Sequence, residues 1–288
     1  MIITRLKGGL GNQMFQYVAG LRMANIYDEN LKLDVTGYDE GGQAKFDTLR
    51  KYRLMAFNLS SGLANNKEAM KARNPLGIIS RLIRVFNQKI LNRFYIGYEP
   101  TFFTKRHAYV EGFFQSEKNF GNLQNKVREE SQLKKEFEGE EYTRAKNKID
   151  PDKSVSVHVR RGDYANDKVT NSYFGTCSID YYKKAMDYVA SKVESPLFYF
   201  FSDDIDWVKN EFGEKDNYIF ISNGILQDYE ELMLMSYCSH NIIANSSFSW
   251  WGAWLNVNLH KIVIAPKEWL QVSLEKQPKI VPDSWIKM

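Results

Sequence analysis

The sequence is poor in cysteine and has no long hydrophobic run. Cys177 and Cys238 are the two cysteines in 288 residues, and two distant cysteines make neither a disulfide framework nor a metal site. We expect both to be buried free thiols in a reducing compartment. No window holds about 18 uninterrupted apolar residues, and the chain does not open on a basic region followed by an apolar stretch. The sequence therefore predicts neither a membrane-spanning helix nor a signal peptide, and we expect a cytoplasmic protein.

A large charge imbalance is also missing. Lysine and arginine number 39 against 35 aspartate and glutamate residues, for a net charge of +4. No nucleic-acid-binding motif accompanies this surplus, so nucleic acid is not an expected partner. A site for a small anionic substrate accounts for the surplus equally well. The composition is that of an ordinary globular protein, long enough for one large domain or two domains of ordinary size.

Strand and helix patterns alternate through the second half of the chain. Strands are predicted at 154–159, 197–202, 218–222, 241–244 and 261–265, with a helical pattern between each pair of strands. Such alternation with short turns predicts a parallel sheet covered by helices on both faces. The N-terminal segment, a strand, a glycine loop and a helix at 13–26, opens a second domain of this class. The expected fold is α/β, with two doubly wound, Rossmann-like domains (1–150 and 151–288) that face each other across a cleft. We place the boundary at a turn predicted for residues 149–152, and we expect a last helix that packs back on the first domain.

The residues from His158 to Tyr164 follow the first strand of the second half, where an open parallel sheet binds its ligands. His158 and Arg160 point to the same side of the strand because side chains alternate with a period of two, and Arg161 starts the loop. A guanidinium group suits a diphosphate because it binds two oxygens at once. The alternative interpretation is a structural ion pair in which Asp163 fixes one of the arginines.

A second polar cluster lies where the strand at 241–244 gives way to a helix. It consists of Asn245, Ser246 and Ser247, and Phe248 follows them. The free N–H groups of a first helical turn, together with the helix dipole, form an anion site. N-capping of the helix by Ser246 or Ser247 is compatible with that role. We expect the tryptophans that follow, Trp250 and Trp254, to pack in the core.

Two acids end the strand at 197–202. A carboxylate at Asp203 or Asp204 can accept the paired N–H groups that guanine presents. Asp204 and Asp206 also have a spacing that can hold a divalent metal against a diphosphate. Acids are favoured in a first helical turn anyway, and the arginine pair supplies positive charge without a metal. We therefore expect no metal site.

The N-terminal glycine loop carries Gly8, Gly9 and Gly11 between a strand and a helix. It is not a dinucleotide fingerprint, because Met14 stands where glycine or alanine is needed, and no P-loop lysine follows. We interpret the loop as a close approach of the backbone to a ligand, with a plain tight turn as the alternative.

Residues 75–94 form a basic amphipathic segment in which apolar residues recur at helical spacing among Arg81, Arg84, Lys89 and Arg93. The favoured interpretation is a surface helix whose apolar stripe packs on the core. The alternative is a helix that lies in a membrane interface, at the inner face of the membrane.

Three segments, 8–17, 157–164 and 245–254, closely resemble the α-1,2-fucosyltransferases of glycosyltransferase family 11, in their bacterial form. The resemblance spans nearly the whole chain. It implies a two-domain GT-B fold and an inverting transfer of fucose from GDP-β-L-fucose. The acceptor would be the 2-hydroxyl group of a galactose-terminated oligosaccharide, with no required metal or other cofactor.

The resemblance also implies roles for single residues. Arg160, aided by Arg161, would hold the diphosphate and His158 would contact the nucleotide. Asp203 or Asp204 would bind guanine, and Asn245 to Phe248 would complete the donor site. From the first domain, the residues lining the cleft would be Gly9, Gly11, Asn12 and Gln13. Three candidates for the catalytic base stay open: Asp163, His158 and Asp34.

Overall fold

The computed structural model describes residues 1–39, 50–89, 95–162 and 168–288. The chain divides into two compact units. Unit 1 comprises Met1–Gln132 and Pro278–Ile280, and unit 2 comprises Leu133–Gln277 and Val281–Met288. Each unit is built on a parallel sheet, which confirms the predicted α/β class. Among the described residues, no helix has the length and hydrophobicity needed to cross a bilayer.

Unit 1 has a four-stranded parallel sheet in the order β3-β2-β1-β4. Its strands are β1 (Ile2–Arg5), β2 (Leu31–Asp34), β3 (Gly62–Leu63) and β4 (Tyr109–Val110), and its helices are α1 (Leu10–Ile26), α2 (Thr36–Asp39), α3 (Asn66–Arg73), α4 (Ile78–Lys89) and α5 (Gln124–Glu130). The central strand β1 is buried and apolar at Ile2 and Ile3. A buried parallel strand reads as an apolar run because helices cover both faces of its sheet.

Unit 2 has a six-stranded parallel sheet in the order β7-β6-β5-β8-β9-β10. Its strands are β5 (Ser154–Val159), β6 (Leu197–Ser202), β7 (Tyr218–Phe220), β8 (His240–Ile242), β9 (Val263–Ala265) and β10 (Ile286–Lys287). Its helices are α6 (Glu140–Lys146), α7 (Lys168–Phe174), α8 (Ile179–Ala190), α9 (Ile205–Phe212), α10 (Asp228–Tyr237) and α11 (Ser247–Leu255). The strand order is that of a doubly wound dinucleotide-type fold.

Strand β5 is the centre of unit 2 and all six of its residues are buried. Val155, Val157 and Val159 belong to the hydrophobic core that includes helix α8. After β7 the chain returns to the other side of β5 to form β8. Strand order therefore reverses between β5 and β8, and ligands of doubly wound sheets bind at such a reversal, beyond the carboxyl ends of the strands.

The boundary between the units differs from the predicted turn at 149–152. Unit 1 ends at Gln132, and helix α6 belongs to unit 2. The reason is Tyr142, a fully buried residue of α6 whose hydroxyl group lies 3.2 Å from that of Tyr237 on α10. Because most of its neighbours in the sequence are charged, the sequence did not indicate that Tyr142 is buried. At the C-terminus, where the sequence suggested a helix packing on the first domain, Pro278–Ile280 joins unit 1 and β10 forms an edge strand of unit 2.

One prediction on packing is confirmed, one is confirmed in part and one is wrong. Trp250 and Trp254 are buried, as predicted, and stack with their rings parallel. Both cysteines are free thiols, but Cys238 is buried as predicted and Cys177 is partly exposed. The apolar stripe of α4, in contrast, does not pack on the core, because its apolar side chains are exposed. The last part of the predicted segment, residues 90–94, lies outside the described residues.

Candidate functional site

Three loops of unit 2 meet at one edge of its sheet. They are residues 160–162 after β5 (the arginine loop), residues 203–204 after β6, and residues 245–247 after β8. Val159 pairs with Ser202 on one side, and Val157 pairs with Ile242 on the other. Because parallel strands in register end at the same edge, the three loops lie side by side. The structure thus brings together the three groups of candidate site residues that the sequence indicated in the second half of the chain.

Arg160 is held by a carboxylate. Its Nη1 atom lies 2.6 Å from Oδ2 of Asp203, and the backbone N–H of Arg161 donates to Oδ1 of the same residue at 2.9 Å. Gly162 makes room for this carboxylate, because a Cβ atom there would lie 2.3 Å from Asp203 Oδ2. Asp203 therefore fixes both the guanidinium group of Arg160 and the backbone of the arginine loop.

Arg161 is held differently, by an aromatic ring. Its guanidinium carbon lies 3.7 Å from the ring centre of Trp207 on α9, which is cation–π geometry. Its Nε atom is 3.5 Å from Oδ2 of Asp204. Asp204 also caps α9, since the Trp207 backbone N–H donates to Oδ1 at 3.3 Å. Sequence analysis did not find Trp207, which reads there as an ordinary apolar position of a short helix.

This geometry bears on both interpretations of the arginine pair, diphosphate binding and a structural ion pair. Each arginine has a carboxylate partner among the described residues, Asp203 for Arg160 and Asp204 for Arg161. The expected partner Asp163 lies outside the described residues, so its pairing stays a prediction. The binding of guanine by Asp203 or Asp204 stays a prediction, and both carboxylates already have structural bonds. Two arginines facing two aspartates leave this part of the site without net charge.

The start of α11 adds N–H donors beside the arginine loop. Ser246 is the N-cap residue, and its Oγ atom accepts the backbone N–H of Phe248 at 3.3 Å. The predicted capping is therefore confirmed. Asn245 has a structural task instead, because its buried amide donates to the carbonyl oxygens of Phe174 and Gly175 at 2.8 and 3.2 Å. Ser247 begins the helix and is partly exposed.

His158 lies between these groups, at the end of β5. Its ring is almost completely buried, and its centre is 5.5 Å from the ring centre of Phe248. Burial and, to a smaller extent, the charge of Arg160 together lower the pKa of the imidazole to about 3. Within the described ranges, Nδ1 of His158 has no hydrogen-bond partner. The folded protein therefore carries a neutral histidine here at physiological pH, which makes His158 a weak base.

We predict that His158 destabilises the folded protein in mild acid. Its pKa in the folded state is about 3, so below its usual value near 6.5 the unfolded chain binds a proton that the folded chain does not. Stability is then lost as pH falls through that window. His158→Gln should remove up to about 2 kcal/mol of the loss in unfolding free energy between about pH 7 and pH 5.

Denaturant titration at the two pH values measures this difference. The matched control is His260→Gln, because His260 is exposed, and it should keep the wild-type dependence on pH. An equal loss of stability in wild type and His158→Gln would contradict the buried, neutral state of His158.

The N-terminal glycine loop is a tight turn that its own side chains stabilise. Gly8 has a φ of 79°, and Gly9 is the N-cap residue of α1. Gln13 is fully buried. Its amide donates to the carbonyl oxygens of Gly8 and Lys51 at 3.0 and 2.8 Å, and its Oε1 accepts the backbone N–H of Arg53 at 2.9 Å. Gln13 therefore holds the loop together, and its contact with the donor stays a prediction.

Two further predicted residues of unit 1 are also engaged within the protein. Asn12 accepts a hydrogen bond from the side chain of Gln115, and Gly11 is buried inside α1. Donor contacts from Gly9, Gly11 and Asn12 stay predictions. Asp34 is buried, with Oδ1 bonded to the backbone and hydroxyl group of Thr36 and Oδ2 bonded to the hydroxyl group of Tyr109. The structure therefore uses both carboxylate oxygens of this base candidate to hold the chain.

Glu231 is a candidate that sequence reasoning missed. The pKa of its carboxyl group is raised to about 7, mainly by burial and also by the charges of Asp228 and Asp203, while a hydrogen bond with Ser222 opposes the increase. A strongly shifted carboxyl group beside a binding edge is a candidate functional group. In the sequence it is one of several acids in the first turn of α10, where the helix dipole stabilises negative side chains, so nothing set it apart.

Comparison with known proteins identifies the family. The profile of glycosyl transferase family 11 matches residues 97–288. An α-1,2-colitosyltransferase from Escherichia coli is 32% identical over 302 positions that span 100% of this chain and 99% of the relative. The O-antigen biosynthesis glycosyltransferase WbnK from Escherichia coli is 29% identical over 98% of this chain and 99% of its own length.

Solved structures support the fold. The fucosyltransferase NodZ from Bradyrhizobium superposes with a TM-score of 0.54 over 87% of this chain and 91% of NodZ, at 12% identity. A second NodZ structure, of an α-1,6-fucosyltransferase soaked with GDP-fucose, gives a TM-score of 0.53. At this identity the likeness is one of fold, and together with the two parallel sheets it identifies the GT-B fold that the sequence resemblance implied.

Proposed function

Since the chain belongs to glycosyl transferase family 11, we propose that it transfers L-fucose from GDP-β-L-fucose to the 2-hydroxyl group of a galactose-terminated glycan. The observation that carries this proposal is the polar edge of the unit 2 sheet. A guanidinium group fixed by Asp203 lies there beside the N-terminus of α11, at the strand reversal of a doubly wound sheet. This is where such sheets bind nucleotides.

We propose that the nucleotide diphosphate lies between the arginine loop and the start of α11. A guanidinium group has five N–H donors, so Arg160 can keep its bond to Asp203 and donate to phosphate oxygens as well. The first-turn N–H groups of α11 add donors and the positive end of a helix dipole. These groups are in place before the donor binds, because Asp203 and the Ser246 cap hold them.

In the proposed reaction, the acceptor hydroxyl oxygen bonds to the anomeric carbon of fucose while the bond from that carbon to the β-phosphate oxygen breaks. The bond pair leaves on the phosphate, so negative charge grows at the group that Arg160 contacts. Preorganised donors stabilise developing charge without reorganisation. Attack on the face opposite GDP converts the β-linked donor into an α-linked product, so we propose inversion.

We propose that this reaction needs no strong base. A transition state with oxocarbenium character makes the anomeric carbon so electrophilic that the hydroxyl group can lose its proton late. His158, with its low pKa, and Asp34, with both oxygens bonded, are poorly suited to act as a base. The proton that the hydroxyl group loses still needs an acceptor, and of the three candidates from the sequence we therefore favour Asp163 as the group that takes it.

The choice of donor sugar is tested with a panel of nucleotide sugars. We expect transfer to a galactoside from GDP-fucose, with kcat/KM at least about tenfold above that of GDP-colitose, because a site that hydrogen-bonds a hydroxyl group discriminates against a sugar that lacks it. UDP-galactose should give no transfer. Addition of EDTA should leave the rate unchanged, since Arg160 and α11 take the place of a metal.

A second candidate function is colitosyl transfer, favoured by the 32% identity to an α-1,2-colitosyltransferase over the full chain. Colitose is fucose without its 3-hydroxyl group, so the two reactions differ in one contact. A higher kcat/KM with GDP-colitose would replace the fucosyl proposal with this one. Transfer from UDP-galactose alone would contradict both.

A further inference from the structure

Helix α4 presents an apolar face that nothing in the described part of the chain covers. Its apolar side chains are between 41% and 77% exposed: Ile78, Ile79, Leu82, Ile83, Val85 and Phe86. At about 100° per residue, these six positions fall within an arc of roughly 160°, with Ser80 and Arg81 outside it. An exposed apolar face of this extent marks an interaction surface.

The stretch of sequence that contains α4 carries charged side chains of one sign, and of these Arg73 is paired with Glu111 in the structure. Between Glu68 and Glu99 the sequence has no acidic residue, and it has six basic ones: Lys71, Arg73, Arg81, Arg84, Lys89 and Arg93. A partner that covers the face must therefore offer an apolar layer bordered by negative charge. The surface of a bilayer with anionic lipids has this combination. A second copy of the same face does not have this combination, because the basic residues of the two copies would repel each other.

We propose that α4 binds the protein to the surface of anionic membranes. The described part of the helix has twelve residues and is about 18 Å long, less than the hydrocarbon core of a bilayer. It would lie in the plane of the interface, with Leu82 and Phe86 among the acyl chains and Arg81 near the headgroups. The inference rests on the surface of α4 alone and goes beyond the proposed function.

Vesicle flotation of the full chain tests the proposal. We expect the protein to float with vesicles that contain about one third phosphatidylglycerol in phosphatidylcholine, and to bind pure phosphatidylcholine at least about tenfold more weakly. Added salt should reduce binding, because it screens the charges. The double variant Leu82→Gln/Phe86→Gln should lose at least about nine tenths of the binding. Both side chains are exposed, so the fold should tolerate the change.

Two controls make the result specific to α4. Val257→Gln/Leu259→Gln removes two apolar side chains that are even more exposed, in unit 2, and should float like wild type. The rate of donor hydrolysis should be the same in all variants. The proposal would be overturned if the wild-type protein bound neither type of vesicle. It would also be overturned if Leu82→Gln/Phe86→Gln bound vesicles as well as Val257→Gln/Leu259→Gln does. A wild-type dimer that Leu82→Gln/Phe86→Gln converts to a monomer, without vesicle binding, would assign the face to a second copy instead.

Discussion

Arg160→Lys should lower kcat for transfer by roughly a hundredfold or more, although it keeps the positive charge. Loss of one preorganised donor to a developing anion costs about 2.7–4 kcal/mol, and an ammonium group is not a bidentate fork. Lysine also lacks the planar group that Asp203 holds at 2.6 Å. Because charge on the β-phosphate grows in the transition state, kcat should fall much more than donor affinity. Steady-state kinetics with GDP-fucose and a soluble galactoside measures both.

The matched control for this variant is Arg144→Lys. Arg144 is an exposed residue of α6 whose ion pair with Glu141 lies on the surface, and exposed pairs contribute little to stability. We expect wild-type kinetics for it. If Arg160→Lys kept the wild-type kcat while Arg144→Lys did too, Arg160 would not be the group that stabilises the leaving diphosphate.

Gly162→Ala should lower kcat/KM for the donor at least about tenfold, from the addition of a single methyl group. The new Cβ atom would lie 2.3 Å from Oδ2 of Asp203, so this carboxylate must move. The same oxygen binds Arg160, and the other binds the backbone of the arginine loop. A shift of about 1 Å in a positioning group can cost on the order of a hundredfold in rate. The test is the same kinetic assay, with circular dichroism to confirm folding.

Gly62→Ala is the control for the added methyl group. A Cβ atom at Gly62 meets no heavy atom within 4 Å, and the backbone there does not require glycine. Its kinetics should match wild type. Wild-type kcat/KM in Gly162→Ala would show that Asp203 can move without consequence, and Asp203 would then not be the residue that orients Arg160.

The second half of the fold was predictable because its signals are local. Strands such as β5 alternate valine with small or polar residues, helices begin at caps such as Ser178 and Ser246, and turns are short. The clustering of residues 160, 203 and 245–247 followed from one rule on where parallel strands end. Arg160 and the start of α11 could thus be placed together without coordinates.

The pairing of side chains could not be predicted in the same way. Nothing in the order of residues identified Asp203 as a partner of Arg160, because 42 positions separate Arg161 from the carboxylate that binds its backbone. The sequence gives no signal that sets Gly162 apart from other glycines, and its role is visible only in the 2.3 Å approach of Asp203. Long-range contacts of this kind depend on tertiary structure, which composition and periodicity do not encode.

Helix α4 shows a different limit of prediction from sequence. Its amphipathic pattern predicted the helix correctly, but the pattern is the same whether the apolar face meets a protein core or a membrane. Only the exposure of residues such as Ile78 and Phe86 separates the two cases. Periodicity therefore identifies an apolar face and leaves its partner open.

A crystal structure with GDP is the most direct test of the central claim, that the arginine loop and the start of α11 hold the nucleotide diphosphate. We predict that phosphate oxygens lie within hydrogen-bond distance of the Arg160 guanidinium group and of backbone N–H groups in the first turn of α11. Asp203 should keep its contact with Arg160. Density for GDP elsewhere, with residues 158–162 and 245–248 making no contact to the phosphates, would contradict the claim.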